Sequence, residues 1–209
     1  MEETIMTYDA IFKILTDPAD LRKRALMLTE VDKQVGLGMA SFTKNFNGKG
    51  SDRYFWEDGA GNEGNIIFKA DGVNDDSILI FAYDHESFFN FYDNNAEEKQ
   101  IVFNGIPASF KHLLEGDELK WDWEKETKIV YATSAIWHEH NDTTWHINPD
   151  FAEQVEKEGE NGGFLYVFDL FTRPLDSERL VKTYEDFGYS QEELTKIEDV
   201  YKKFYTSSI

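Results

Sequence analysis

An α+β fold, with a mostly antiparallel sheet and the N- and C-terminal helices packed on one of its faces, is predicted by three features of the sequence. Runs rich in β-branched and aromatic residues are grouped in the middle of the chain. Apolar residues recur at helical spacing at both ends. The strict alternation of strand and helix that marks a parallel sheet is missing.

The elements follow in order. Tyr8, Ile11, Phe12 and Leu15 lie on one side of a short helix. Asp17-Pro18-Ala19-Asp20 opens a longer one, with a capping carboxylate, a proline suited to the first turn and an acid at the positive end of the dipole. Leu21, Ala25, Leu28, Val31 and Val35 form its apolar stripe, and Gly36 and Gly38 end it. From Gly48 a β-meander is expected, with strands Arg53 to Glu57, Asn65 to Ala70 and Ser77 to Tyr83 separated by Asp-Gly turns at Asp58 to Asn62 and Asp71 to Asn74. Ile78 to Ala82 is apolar on both faces and should be covered on both.

Glu86 to Phe91 and Pro107 to Leu114 read as short helices. The segment Gly116 to Lys128, in which Trp121 and Trp123 alternate with charges, reads as an edge strand or ordered loop. Ile129 to Glu139 is a strand, with Thr144 to Ile147 returning against it. Gln154 to Gly163 reads as a solvated helix or loop, and Phe164 to Phe171 as a second fully apolar strand. A helix from Ser177 to Phe187, stopped by Gly188, precedes a last one that starts at a Ser190/Glu193 capping box and carries Leu194, Ile197, Val200, Tyr201 and Phe204 on one stripe, which should dock on the sheet.

With 209 residues, 41% hydrophobic and 15% aromatic, the chain has material for one sizeable core, and a single domain over 1–209 is expected. The formal net charge of -20 opposes binding to nucleic acid and to anionic membrane surfaces and favours a basic protein partner. Absence of cysteine excludes disulfides, thiolate metal sites and a cysteine nucleophile. An acidic start at Met1-Glu2-Glu3, and no apolar run of ~18 residues, point to a cytoplasmic protein that is neither exported nor inserted in a membrane.

Two groups of residues invite a chemical reading. In Trp137-His138-Glu139-His140-Asn141-Asp142, followed by Trp145-His146, a reversal about Asp142 would set His138 opposite His146 with His140 on the same face. Three imidazoles could then hold zinc, with Glu139 or Asp142 polarising a bound water. The competing and favoured reading is the wet face of a hairpin that buries Trp137 and Trp145. Asp84-His85-Glu86-Ser87 ends a buried strand, where it can act as acid, base or ligand, or simply cap the next element, which is favoured. Gly36-Leu37-Gly38 lacks the third glycine and preceding strand of a dinucleotide site, and neither a phosphate loop nor a Gly-x-Ser-x-Gly elbow exists, so no cofactor is expected.

Phe81-Ala82-Tyr83-Asp84-His85-Glu86-Ser87, Asn104-Gly105-Ile106-Pro107 with Phe110, Leu113 and Leu114, and Ile136-Trp137-His138-Glu139 with Asp142 and Trp145 together resemble a group of uncharacterised bacterial proteins. These share Asp-His-Glu-Ser, Gly-x-Pro and Trp-x-Glu elements, and the likeness implies arginine as the commoner residue at the position of His138. Size, acidity and architecture are also similar to acidic immunity proteins of toxin systems, the broad SMI1/KNR4-like set. The function expected is therefore a non-enzymatic, immunity-type domain that captures a basic partner, with Asp84, His85, Glu86, Trp137, Glu139 and Asp142 in its binding surface and Trp121, Trp123 or Tyr92 as anchors. The alternative is a small metal-dependent hydrolase built on His138, His140 and His146.

Overall fold

A computed structural model describes residues 7–15, 17–46, 48, 50–69, 76–90, 101–114, 119 and 130–206. Five strands, β1 (Ala40–Phe46), β2 (Ser51–Glu57), β3 (Glu63–Lys69), β4 (Ile78–Tyr83) and β5 (Ser134–His138), form one antiparallel sheet in the order β1-β2-β3-β4-β5. Among the described residues, seven α-helices accompany it: α1 (Tyr8–Ile14), α2 (Pro18–Val35), α3 (Ala108–Leu114), α4 (Pro149–Glu158), α5 (Phe164–Val167), α6 (Ser177–Asp186) and α7 (Gln191–Tyr205). The architecture is α+β, as the grouping of strands implies.

The cross-strand register sorts the sheet into two faces. Tyr54, Ile66, Ile80 and Ile136 align across β2 to β5 on one face, while Ile67, Leu79 and Trp137 align on the other. Helix α2 and the turn that follows α5 lie on the first face. Arg22 of α2 pairs with Asp52 and lies 5.3 Å from the Phe68 ring centre, and Phe171 meets Tyr54 edge-on at 5.3 Å. The second face is covered at β4 by the 3-10 turn Ile101–Phe103, whose Phe103 meets Phe81 edge-on at 5.6 Å. This explains why every residue of β4 is buried.

Local chemistry sets the helix limits. Asp17 accepts a bond from Ala19 at the start of α2, and Gly36 closes it in the left-handed conformation. Beyond that cap, both Asp32 oxygens accept backbone bonds from Gly38 and Met39, which turns the chain into β1. Arg24, only 5% exposed, is tolerated in the core because it reaches Asp20 and the carbonyls of Leu170 and Arg173. The Ser190/Glu193 capping box forms as expected. Helix α7 packs mainly on α2 and α6 and so belongs to an outer layer, where docking directly on the sheet was expected.

Several elements differ from the sequence-based expectation. Strand β1 was not anticipated; its residues are half exposed and it is held by pairing with β2, interrupted by a bulge where Asn45 takes a positive φ of 48°. Residues 84–90 form turns and not a helix, because Asp84 and Ser87 spend their side chains on the local amides of Glu86 and Phe89. Strand β5 is confined to Ser134–His138 within the longer run expected, and the return against it is a single bridge between Trp137 and His146. Helix α4 starts five residues ahead of Gln154, capped by Asn148, and buries Phe151 and Val155.

The largest correction concerns Phe164 to Phe171, which forms helix α5 and turns in place of a strand. Phe164, Val167, Phe168 and Phe171 are all buried, a spacing of three, four and seven residues, whereas Tyr166 is 61% exposed. A uniformly apolar run has no period of its own, so length and pattern alone leave helix and strand unresolved. The glycine pair before it decides: Gly162 and Gly163 both have positive φ and turn the chain over the end of the sheet. Helix α5 then sits against β3 at Gly64, where an added Cβ would lie 2.6 Å from Val167 Cγ1.

Candidate functional site

The two groups singled out in the sequence lie at opposite ends of the β4–β5 pair. Ala82 pairs with Ser134 beside the Asp84 group, and Ile78 pairs with His138 at the other end. At about 3.3 Å per strand residue, the groups are separated by roughly 20 Å and form no common site.

At the first end, hydrogen bonds gather four chain segments. The Asp84 amide donates to Thr133 Oγ1 (3.0 Å), whose hydroxyl donates to the Gly162 carbonyl (2.7 Å). Asp84 Oδ1 accepts from the Glu86 amide. His85 donates from both its amide (3.0 Å) and Nδ1 (2.9 Å) to Asn62 Oδ1, while Asn62 Nδ2 donates to Asp58 Oδ2 at 2.7 Å. Glu160 completes the junction, accepting from Ser87 Oγ and from the Gly163 amide. The Asp84 amide, the His85 amide and Nδ1, and the Ser87 hydroxyl are thus engaged in holding loops together, while the Asp84 carboxylate caps the turn and the Glu86 carboxylate is exposed. This is the capping role, extended over a longer range than sequence separation suggests.

The outer side of the junction carries Tyr166 beside the Asp58 carboxylate, and Phe88 is exposed in the turn that follows Asp84. Phe88 and Tyr166 are each 61% exposed, and Tyr166 donates to Asp58 Oδ2 at 3.3 Å. Burial, then the carboxylates of Asp58 and Asp84, push the Tyr166 phenol up, so these charges lie close around its ring. Neither aromatic was among the residues expected in a binding surface. Tyr166 was hidden in the run read as a strand, and Asp58 was read as turn chemistry alone. Trp121, Trp123 and Tyr92 lie outside the described residues.

Partial burial pushes the Asp58 carboxyl up, but bonds from Ala60, Asn62 and Tyr166 outweigh it and leave its pKa below the ordinary aspartate value. Depression of a folded-state carboxyl contributes stability above the unfolded value of about 3.9, and that stability is lost as pH falls through the folded value. We therefore expect Asp58→Asn to flatten the acid limb: its melting temperature should fall less than the wild type's between about pH 5 and about pH 2.5. Parallel acid limbs in thermal melts would remove Asp58 from this role.

At the second end, His146 lies opposite Trp137 and not opposite His138, one residue away from the register expected. In a strand that shift reverses the face. The three imidazoles consequently meet different acceptor atoms: His138 Nε2 meets the Asp142 carbonyl (3.1 Å), His140 Nδ1 meets Asp76 Oδ1 (2.8 Å) and His146 Nε2 meets Asp142 Oδ2 (2.7 Å). Among the described residues, no group of three or more metal-ligating side chains is arranged to hold a metal ion. Trp137 is buried and stacks on His146. Asp142 also accepts from the Glu139 amide, so it closes the turn, and the His146 bond foremost holds its carboxyl below the ordinary range. Glu139 itself is exposed.

Beside this turn, between it and the α1–α2 corner, lies an open cavity of about 620 Å³. Asp9, Asp17, Asp76 and Asp142 border it, with His138 and Trp145 as its most buried walls.

Fold and surfaces together define an acidic α+β domain built on a five-stranded antiparallel sheet, with a carboxylate and aromatic surface at one sheet end and an acidic cavity at the other. No family model, curated protein or solved structure matches the chain. No helix among the described residues is long and apolar enough to cross a membrane.

Proposed function

We propose that this chain is a non-enzymatic protein-binding domain of the immunity type, which captures a basic partner. The observation that carries the reading is the placement of exposed Tyr166 beside the carboxylates of Asp58 and Asp84, with Glu86 and Phe88 exposed in the turn that follows Asp84, on a chain of net charge -20. Carboxylates in such numbers raise the rate of encounter with a cation, and aromatic side chains supply contact area at low entropic cost once the encounter is made. The engagement of His85 Nδ1, Ser87 Oγ and the Glu160 carboxylate in the scaffold favours binding over chemistry, since these atoms are already used by the protein itself. The likeness in size, acidity and architecture to acidic immunity proteins points the same way.

The test is association of the purified chain with a panel of purified basic toxin domains, measured by interferometry at low and high salt. Capture should be fast at low ionic strength and slow by at least ~10-fold when charge is screened. Substituting Phe88→Ser and Tyr166→Ser together should speed dissociation by ~10-fold or more while the melting temperature stays close to that of the wild type. A panel from which nothing basic is bound at low salt, or a double variant that dissociates as slowly as the wild type, would remove the proposal.

A further inference from the structure

Resting on that reading, we infer that the cavity at the α1–α2 corner is a receptor for an arginine side chain presented by the basic partner. Four of its polar lining residues, Asp9, Asp17, Asp76 and Asp142, carry carboxylates, which accept and do not donate. Asp9 makes no hydrogen bond or ion pair among the described residues, the Asp76 carboxylate meets His140, and the Asp142 carboxylate meets His146 and the Glu139 amide through one oxygen. Lys13 is the only lysine or arginine among the described lining residues, and it is exposed on α1.

An acidic border alone would be ordinary surface. What sets this one apart is His138, which lines the cavity although it is only 6% exposed. Its Nε2 faces a carbonyl oxygen, which only accepts, so the proton belongs on Nε2 and Nδ1 is left as an acceptor. Nδ1 is buried and has no hydrogen-bond partner. A buried acceptor without a donor is an unfavourable arrangement that an incoming N–H group relieves.

The ligand that suits these walls donates without accepting, carries positive charge, and has an apolar stem. Arginine meets all three requirements: its guanidinium offers five donors in a planar fork, and its methylene stem and flat face pack on aromatic rings. Trp145, 7% exposed and tilted against His138 at 5.4 Å, supplies such a ring, and Phe12 borders the opening. A lysine ammonium brings the charge but neither the fork nor the stacking plane.

The test is titration of the full chain, labelled with ¹⁵N-histidine, with N-acetyl-arginine amide and separately with N-acetyl-lysine amide at constant ionic strength, followed by NMR. We expect the His138 Nδ1 resonance to move saturably with the arginine probe, with an affinity of about 1 mM. The lysine probe should bind at least ~10-fold more weakly, and the double variant D9N/D76N should weaken arginine binding ~10-fold at an unchanged unfolding midpoint. No saturation by about 50 mM arginine probe, equal binding of the two probes, or full affinity in the variant would each overturn the inference. A chain that captures basic toxin domains but ignores the arginine probe loses only this cavity assignment. A chain that takes the probe but captures no basic domain loses the protein-binding reading and keeps a cavity for guanidinium compounds.

Discussion

Gly162→Ala should destabilise the protein by about 3 to 4 kcal/mol, one of the largest losses expected from adding a single methyl group. Gly162 has φ +69°, and a Cβ built there collides with the carbonyl oxygen of Thr133. Left-handed conformation alone costs a residue with a side chain about 1 to 2 kcal/mol. The remainder comes from the backbone, which cannot yield as a flexible side chain would. Moving it breaks the bond from Thr133 Oγ1 to the Gly162 carbonyl and strains the bond from the Asp84 amide to the same hydroxyl, each worth about 1 kcal/mol. Gly188→Ala is the internal control. Its φ is +87° but no atom lies within 4 Å of the added Cβ, so it should show the conformational cost without the collision. Urea denaturation of the two variants separates the contributions; equal losses would mean that the 160–163 turn does not approach β5 as described.

Phe168→Ala should cost about 3 to 5 kcal/mol, whereas Tyr166→Ser should stay within about 1 kcal/mol of the wild type. Phe168 is 1% exposed, packs on Phe164 at 5.1 Å and on Phe171 at 6.1 Å, and stands against β3 at Gly64. Removing its ring leaves a cavity between helix and sheet that rigid strands cannot close. The pair of variants also distinguishes the two conformations open to this segment. In a strand, residues 166 and 168 share a face and both substitutions would be felt alike. In the helix they point to different sides, and only one should be. Equal destabilisation by thermal melting would restore the strand. The same Tyr166 variant, stable but altered at the surface, is half of the pair that probes partner binding.

Much of the scaffold is legible from local chemistry. Asp17-Pro18 and Gly36 bound α2, Ser190 and Glu193 cap α7, and the Asp58 turn separates β2 from β3, because in each case neighbours in sequence satisfy the orphan backbone groups. The site residues were less legible. His138, His140 and His146 look convergent as a string, but convergence depends on a register that one residue reverses, and the bridge at Trp137 places it the other way. Asp84 and His85 were recognised as special, yet their partners Asn62 and Thr133 are 23 and 49 residues away, beyond the reach of any pattern.

Charge, the absence of cysteine, the antiparallel class, the ends of α2 and the start of α7 were settled by composition and by interactions of a few residues' range, which act alike wherever the segment is placed. The course of Phe164 to Phe171, the register at Trp137 and the meeting of Tyr166 with Asp58 were settled only when the chain closed on itself. These depend on which groups meet across long separations. A uniformly apolar run accepts either conformation until a glycine turn and a waiting sheet face select one.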